Sequence, residues 1–193
     1  MNYPNGIKKE TSTSKIKKNV SYDNRGMNLE NDINLSNEYY RDIDKAYIYK
    51  KPTPIKVTKV DYPSRDKAVI KEAFYTVPST TDYNGIYKGY YIDFEAKETI
   101  NKTSFSLNNI HPHQIKHLEN IERHNGIAFL IVRFTKLNET YLLLIKDLLN
   151  FLNTNDRKSI PVSYFKEHGF LLKDNYNPRI DYLKTIDQLI WGN

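Results

Sequence analysis

The sequence predicts an α/β domain built around one mixed sheet, and three observations carry that expectation. Asp82 to Tyr87 and Tyr90 to Lys97 are aromatic and β-branched enough for strands, and Lys88-Gly89 between them marks a tight hairpin. Ile127-Ala128-Phe129-Leu130-Ile131-Val132 is nearly all apolar, as a strand covered on both faces must be. The order strand, hairpin, helix, strand, strand, with further helices flanking, asks for helices packed against that sheet.

Composition bounds the rest. At 193 residues the chain is long enough to bury a core, as one domain or one domain with appendages. The hydrophobic fraction is 39% and the mean hydropathy −0.69, so a soluble protein is expected. No window approaches the roughly 20 apolar residues of a membrane span, and Met1 to Tyr22 holds no apolar stretch of a secretory signal. With no cysteine, neither a disulfide framework nor a zinc-thiolate site is possible, and a cytoplasmic location is the expectation. A net charge of +6 suits a polyanionic partner, and a merely solvated basic surface explains it equally well. The 16 tyrosines and 8 phenylalanines tilt the balance toward nucleic acid, because bases stack on rings, although most of those rings serve packing.

Taken in order, Met1 to about Tyr22 reads as a disordered basic arm, rich in Lys, Asn, Ser and Thr. Residues 23–193 form one domain. Asn24-Arg25-Gly26 leads into a helix from Met27 to about Tyr40, with Leu29, Ile33 and Tyr40 on one stripe and Glu30 solvated beside it. Ala46 to Tyr49 is a short strand, after which Pro52 and Pro54 bar a helix and redirect the chain. Ile55 to Val60 and Ala68 to Tyr75 are strands joined by the polar turn Asp61 to Lys67. They predict a projecting hairpin with a basic surface from Lys56, Lys59, Arg65, Lys67 and Lys71, the alternative being a meander edge guarded by lysines. Glu98 to Ile110 reads as a polar loop containing Lys102. Pro112 opens a helix that Asn125-Gly126 ends. Tyr141 to Ile145 is a second buried strand, reached through Asn138-Glu139. Lys146 to Leu152 starts a helix, Pro161 to His168 is another, and Asp181 to Trp191 closes the chain with Tyr182, Ile186, Leu189 and Ile190 inward.

The chemistry concentrates on the first hairpin. On Tyr90 to Lys97, Asp93, Glu95 and Lys97 share one face while Ile92, Phe94 and Ala96 take the other. A hairpin closed by Lys88-Gly89 sets Asp82 opposite Glu95, which places two carboxylates side by side. Such a pair repels, and a hard divalent cation between them relieves it; Mg²⁺ takes few protein oxygens and completes its shell with water and substrate phosphate. Lys97 faces the same space and can stabilise negative charge on a transferring phosphoryl group. Asp93 is a spare carboxylate nearer the turn, paired with Lys88 or solvated. Thr80, two residues before Asp82, shares its face, and Gln114 begins the following helix. His111, His113 and His117 cluster, yet two helix histidines without a third fixed ligand make a weak zinc case, so phosphate contact or surface roles are expected. A solvated charged face remains the alternative to the whole cluster.

Asp82, then Glu95-Ala96-Lys97, on a hairpin followed by a helix resembles the core of the restriction-endonuclease-like, or PD-(D/E)xK, nucleases. More narrowly, the chain resembles the RecU family of Holliday junction resolvases. Tyr22 to Met27, Lys50-Lys51-Pro52-Thr53-Pro54, Ser79 to Gly89 and Ile92 to Thr99 carry this resemblance. Asn101 to Phe105, His113-Gln114 and Pro178 to Tyr182 complete it. The likeness runs from about Tyr22 to Leu189 and is least in the basic arm and in Lys146 to Tyr176. It implies a restriction-endonuclease-like mixed central sheet flanked by helices, with a projecting β stalk at about 55–75. The implied protein is a dimer that makes paired, symmetric nicks across a four-way junction in recombination and repair. The cofactor it implies is Mg²⁺, with Mn²⁺ as a substitute. Thr80, Asp82, Glu95 and Gln114 stand at its metal-site positions, Lys97 at its transition-state-stabilising lysine, and Arg65 at a stalk arginine that handles DNA, with Lys56, Lys67 and Lys102 as further DNA contacts. The partners it implies are four-way junction DNA, a second copy of the chain, and a RecA-type recombinase or branch-migration helicase. The competing reading is a junction-binding or recombinase-modulating protein without chemistry; a sequence-specific restriction enzyme with the same core is a third.

Overall fold

The computed structural model describes residues 28–76 and 80–192, so the basic arm and the Asn24-Arg25-Gly26 helix entry lie outside the described residues. Helix α1 (Leu29–Asp42) begins where Asn28 caps it, accepting the Glu30 N–H at 2.9 Å, while the distant Glu98 carboxylate accepts the Leu29 N–H at 2.9 Å. Its stripe of Leu29, Ile33 and Tyr40 is buried, and Glu30 stays exposed against Lys50 at 2.5 Å. Strand β1 (Tyr47–Lys50) ends just before Pro52 and Pro54. Strands β2 (Ile55–Asp61) and β3 (Val69–Tyr75) then pair into a separate two-stranded hairpin, with a 3-10 turn at Arg65–Lys67 near its tip. Every residue of both strands is exposed.

Strands β4 (Tyr83–Tyr87) and β5 (Tyr90–Thr99) form the hairpin on which the chemistry was expected. Lys88 and Gly89 both adopt positive φ, 49° and 81°, as the tight hairpin turns that match strand twist require. The chain continues through β6 (Ser104–Ser106), α2 (Pro112–Arg123), β7 (Ile127–Phe134), β8 (Glu139–Leu144) and α3 (Ile145–Thr154). It ends with β9 (Ser159–Pro161), α4 (Val162–His168), β10 (Phe170–Leu172) and α5 (Tyr182–Trp191). Six strands make the central sheet in the order β1-β4-β5-β7-β8-β10. Among the described strands only β5 and β7 run parallel, with α2 in their crossover, so the sheet is mixed and flanked by helices.

Two apolar layers sandwich this sheet. Leu29, Ile33 and Tyr40 of α1 and Tyr182, Leu183 and Ile186 of α5 pack on one face with Ile92, Phe94 and Phe129. Leu118 of α2 and Leu148 and Phe151 of α3 pack on the other with Leu130 and Val132. On the first face the rings of Tyr83, Phe94 and Phe129 stack across β4, β5 and β7, with centroids 4.8 Å and 4.7 Å apart. Those three residues are register partners, so the stack pins the alignment of all three strands. Gly85 lets β1 approach β4: a Cβ there would lie 2.1 Å from the Tyr47 carbonyl oxygen and 2.6 Å from Ile48 Cα. At the turn end of the β4–β5 hairpin, Trp191 packs edge-on against Tyr87 and Tyr90, with the Lys88 ammonium 4.4 Å from its ring centre.

Three expectations are corrected. Glu98 to Ile110 is not all loop, because Glu98 and Thr99 complete β5 and Ser104–Ser106 pairs with β9 around the fully buried Phe105. Strands β9 and β10 were not foreseen, since three residues cannot display a period. In α5 Tyr182, Leu183 and Ile186 are buried and Leu189 packs half-buried against the same core, while Ile190 is 43% exposed.

Candidate active site

The observed pairing of Tyr83 with Phe94 sets Asp82 one step beyond the ladder and opposite Glu95. Backbone and side chains interlock there. The Asp82 N–H donates to Glu95 Oε2 at 3.0 Å, and the Ala96 N–H donates to Asp82 Oδ2 at 3.2 Å. Each carboxylate is thus fixed by the other residue's strand. Glu95 is entirely buried, and its Oε1 receives the Lys97 ammonium at 2.5 Å and the Gln114 amide nitrogen at 2.8 Å.

Gln114 reaches Glu95 because of how α2 begins. His111 is the N-cap, Pro112 follows it, and Gln114 Oε1 accepts the His111 N–H at 3.0 Å in a capping box. That bond turns the amide NH₂ toward Glu95, so Gln114 meets the cluster as a donor. Its 4% exposure contrasts with the solvated helix position that its residue type alone suggested. Thr80 lies beside the cluster with its hydroxyl 3.4 Å from the Lys51 ammonium.

Burial pushes the Glu95 carboxyl up to about 7, and the neighbouring Asp82 charge adds to the rise; Lys97 and Gln114 pull it back only in part. Two carboxylates held together with one of them reluctant to ionise form a site that a divalent cation stabilises. The donors here are oxygens, and among the described residues no group of three or more His, Cys, Asp and Glu gathers to hold a metal. Mg²⁺, which binds through one or two carboxylates and keeps waters and substrate phosphate, fits such a set. Asp82 also lines two open clefts: one of about 350 Å³ bounded by Lys50 to Pro54 and Thr80 to Asp82, the other of about 140 Å³ reaching Lys97 and Glu98.

Asp93 is where the sequence misled. It is neither solvated nor paired with Lys88, which instead meets Asp187 at 2.7 Å. Asp93 is fully buried against the Lys51 ammonium at 2.7 Å, the Thr81 hydroxyl, the Tyr91 hydroxyl at 3.0 Å and His117 Nε2 at 3.0 Å. His117 Nε2 therefore meets the Asp93 carboxylate, while His111 and His113 stack on each other with centroids 5.4 Å apart. Lys51 and Thr81 lie in blocks that carry the family resemblance, yet the sequence assigned neither a role. The readable signal was their position, since each adjoins a residue already singled out. Arg65, Lys56 and Lys67 sit exposed on the β2–β3 hairpin and Lys102 is exposed in the turn before β6, none of them bonded to the Asp82–Glu95 cluster.

The chain matches the family model described as RecU, Recombination protein U, over residues 24–188. The Holliday junction resolvase RecU of Bacillus cereus (strain AH820) is 52% identical over 196 residues, covering 98% of each chain, and that of Bacillus anthracis (strain A0248) matches to the same degree. The protein of the same name from Bacillus mycoides (strain KBAB4) is 51% identical over the same span. Among solved structures, Archaeoglobus fulgidus Hjc, a Holliday junction resolvase from an archaeal hyperthermophile, aligns with 69% of this chain and 93% of its own. Its TM-score is 0.39 at 10% identity, a likeness too slight to build on.

Proposed function

The chain belongs to the RecU family, and on that footing we propose that it is a divalent-metal-dependent endonuclease resolving four-way, or Holliday, junctions in recombination and repair. The observation that carries this reading is the interlocked pair Asp82–Glu95, with the Asp82 N–H on one oxygen of the buried Glu95 carboxylate and the Lys97 ammonium on the other. Asp82 and Glu95 would hold the ion, Mg²⁺ or its substitute Mn²⁺, with Thr80 beside them. The ion supplies Lewis-acid activation of water and charge neutralisation at phosphorus.

The chain's own side chains do the rest. Gln114 and the Asp82 N–H orient the Glu95 carboxylate from two sides. Lys97 reaches Glu95 yet stays 26% exposed on its side chain, so it can turn its charge to a phosphodiester that arrives beside it. There it stabilises the extra negative charge as the water oxygen bonds to phosphorus and the bridging P–O bond breaks. A four-way junction has two-fold symmetry, so a homodimer would present one such site to each of two opposed strands. The β2–β3 hairpin, with Lys56, Arg65 and Lys67, and the Lys102 turn would contact the DNA. A location in the cytoplasm fits a chain with no cysteine.

The test is Mg²⁺-dependent nicking of a synthetic four-way junction, with a linear duplex of the same sequence alongside. Asp82→Asn and Lys97→Ala should each lower the nicking rate by about 10²–10³-fold while junction binding without metal stays within a few-fold. Variants that nick as fast as wild type remove these residues from the mechanism. Binding with no cleavage under any metal condition would favour the non-catalytic junction binder, and equal cutting of the duplex a restriction enzyme.

A further inference from the structure

Asp93 stands two residues before Glu95 on the same face of β5, and none of it reaches solvent. A buried carboxylate is costly without a counter-charge, and Lys51, with a side chain only 18% exposed, supplies one at 2.7 Å. Neutralisation alone does not account for what else Lys51 does. Its ammonium donates to the Thr81 hydroxyl at 2.8 Å and reaches the Thr80 hydroxyl at 3.4 Å, while its backbone N–H donates to the Asp82 carbonyl at 2.7 Å.

One residue therefore grips three in succession, the last of which bears a carboxylate of the candidate metal site. The β1–β4 ladder ends at the pair Lys50–Tyr83, so Thr80 to Asp82 lie beyond the reach of strand pairing. Lys51 takes over where the ladder stops. Its backbone N–H holds the Asp82 carbonyl and its ammonium holds the hydroxyls of Thr80 and Thr81 just before it; Asp93 fixes that ammonium, and is itself steadied by Tyr91 from its own strand and by His117 from α2. From this geometry we propose that Lys51, anchored on Asp93, is a positioning residue that sets Asp82 in place for the metal.

The proposal rests on the endonuclease reading of Asp82 and Glu95, and the test separates the two. Lys51→Met removes the ammonium but leaves Asp93 charged and buried, so the double variant Lys51→Met/Asp93→Asn is made beside it, leaving neither charge unmatched. Three quantities are read: the melting temperature without metal, its rise on titration with Mg²⁺ or Mn²⁺ alone, and the nicking rate at saturating junction. A residue that only stabilised the fold would change the first and spare the other two in the double variant. A positioning residue costs about 10–100-fold in apparent metal affinity and in nicking rate, even where the metal-free melting temperature is restored. A double variant within twofold of wild type in both overturns the role of Lys51. If wild type responds to the metal but does not nick, the metal affinity alone decides. If wild type shows neither response, the endonuclease reading falls and the role of Lys51 falls with it.

Discussion

At the scale of single residues, the site is governed by one carboxyl that is slow to ionise. Burial against Asp82 raises Glu95 from 4.5 to about 7. Between those two values the metal-free folded protein holds a proton that the unfolded chain has released, so Glu95 removes stability as pH climbs through that window. The amount at pH 8 is up to about 3 kcal/mol, from 1.36 kcal/mol for each pH unit of displacement. A metal ion held by Glu95 as proposed would have to displace the same proton. Apparent Mg²⁺ or Mn²⁺ affinity should therefore climb steeply up to about pH 7 and level off above it, with proton release on binding that fades over the same range. Calorimetric titrations in buffers of different ionisation enthalpy measure both quantities. Glu95→Gln should abolish the metal response and raise the melting temperature of the metal-free protein at pH 8.

At the scale of elements, the β4–β5 hairpin owes its register to a two-residue turn and to the Tyr83–Phe94–Phe129 stack. The turn was legible, since aromatic and β-branched runs around Lys88-Gly89 leave one economical pairing, and that pairing sets Asp82 against Glu95; the stack was not, because its third ring comes from β7, whose alignment with β5 no local pattern fixes. Helix α2 was legible through Pro112 and the closing Asn125-Gly126, whereas the role of Gln114 depends on an N-cap bond that no periodicity reveals. The Asp93 cluster was illegible for a different reason: its partners sit 42 residues earlier, 12 residues earlier and 24 residues later in the chain. Only the approach of β1 to β4 brings the first of them in. That approach yields a prediction for Gly85→Ala. The added methyl collides with β1 backbone, which cannot yield as a side-chain tip can, so a loss of about 2–3 kcal/mol on urea unfolding is expected. Because β1 leads directly into Lys51, the folded fraction of that variant should also nick more slowly than wild type.

At the scale of the whole molecule, the charge of +6 and a β2–β3 hairpin whose strands are exposed throughout set the proposed DNA contacts apart from the core. Replacing Lys56, Arg65 and Lys67 together by alanine should leave the melting temperature almost unchanged, since exposed positions contribute little to packing. The same variant should bind junctions with a flatter dependence on salt, the slope of log affinity against log salt falling by at most about 2.7 if each side chain neutralises one phosphate. Filter-binding or fluorescence titrations over a range of salt concentrations measure that slope. An unchanged slope would place the DNA elsewhere on the surface. Trp191, the chain's one tryptophan, carries a separate consequence. Its indole sits against Tyr87, Tyr90 and Lys88, at the turn end of the hairpin whose other end holds Asp82 and Glu95. The protein thus contains a built-in optical probe of whether its C-terminal helix is docked. Loss of the helix would register as a change in emission, while events confined to the carboxylates would leave that signal quiet.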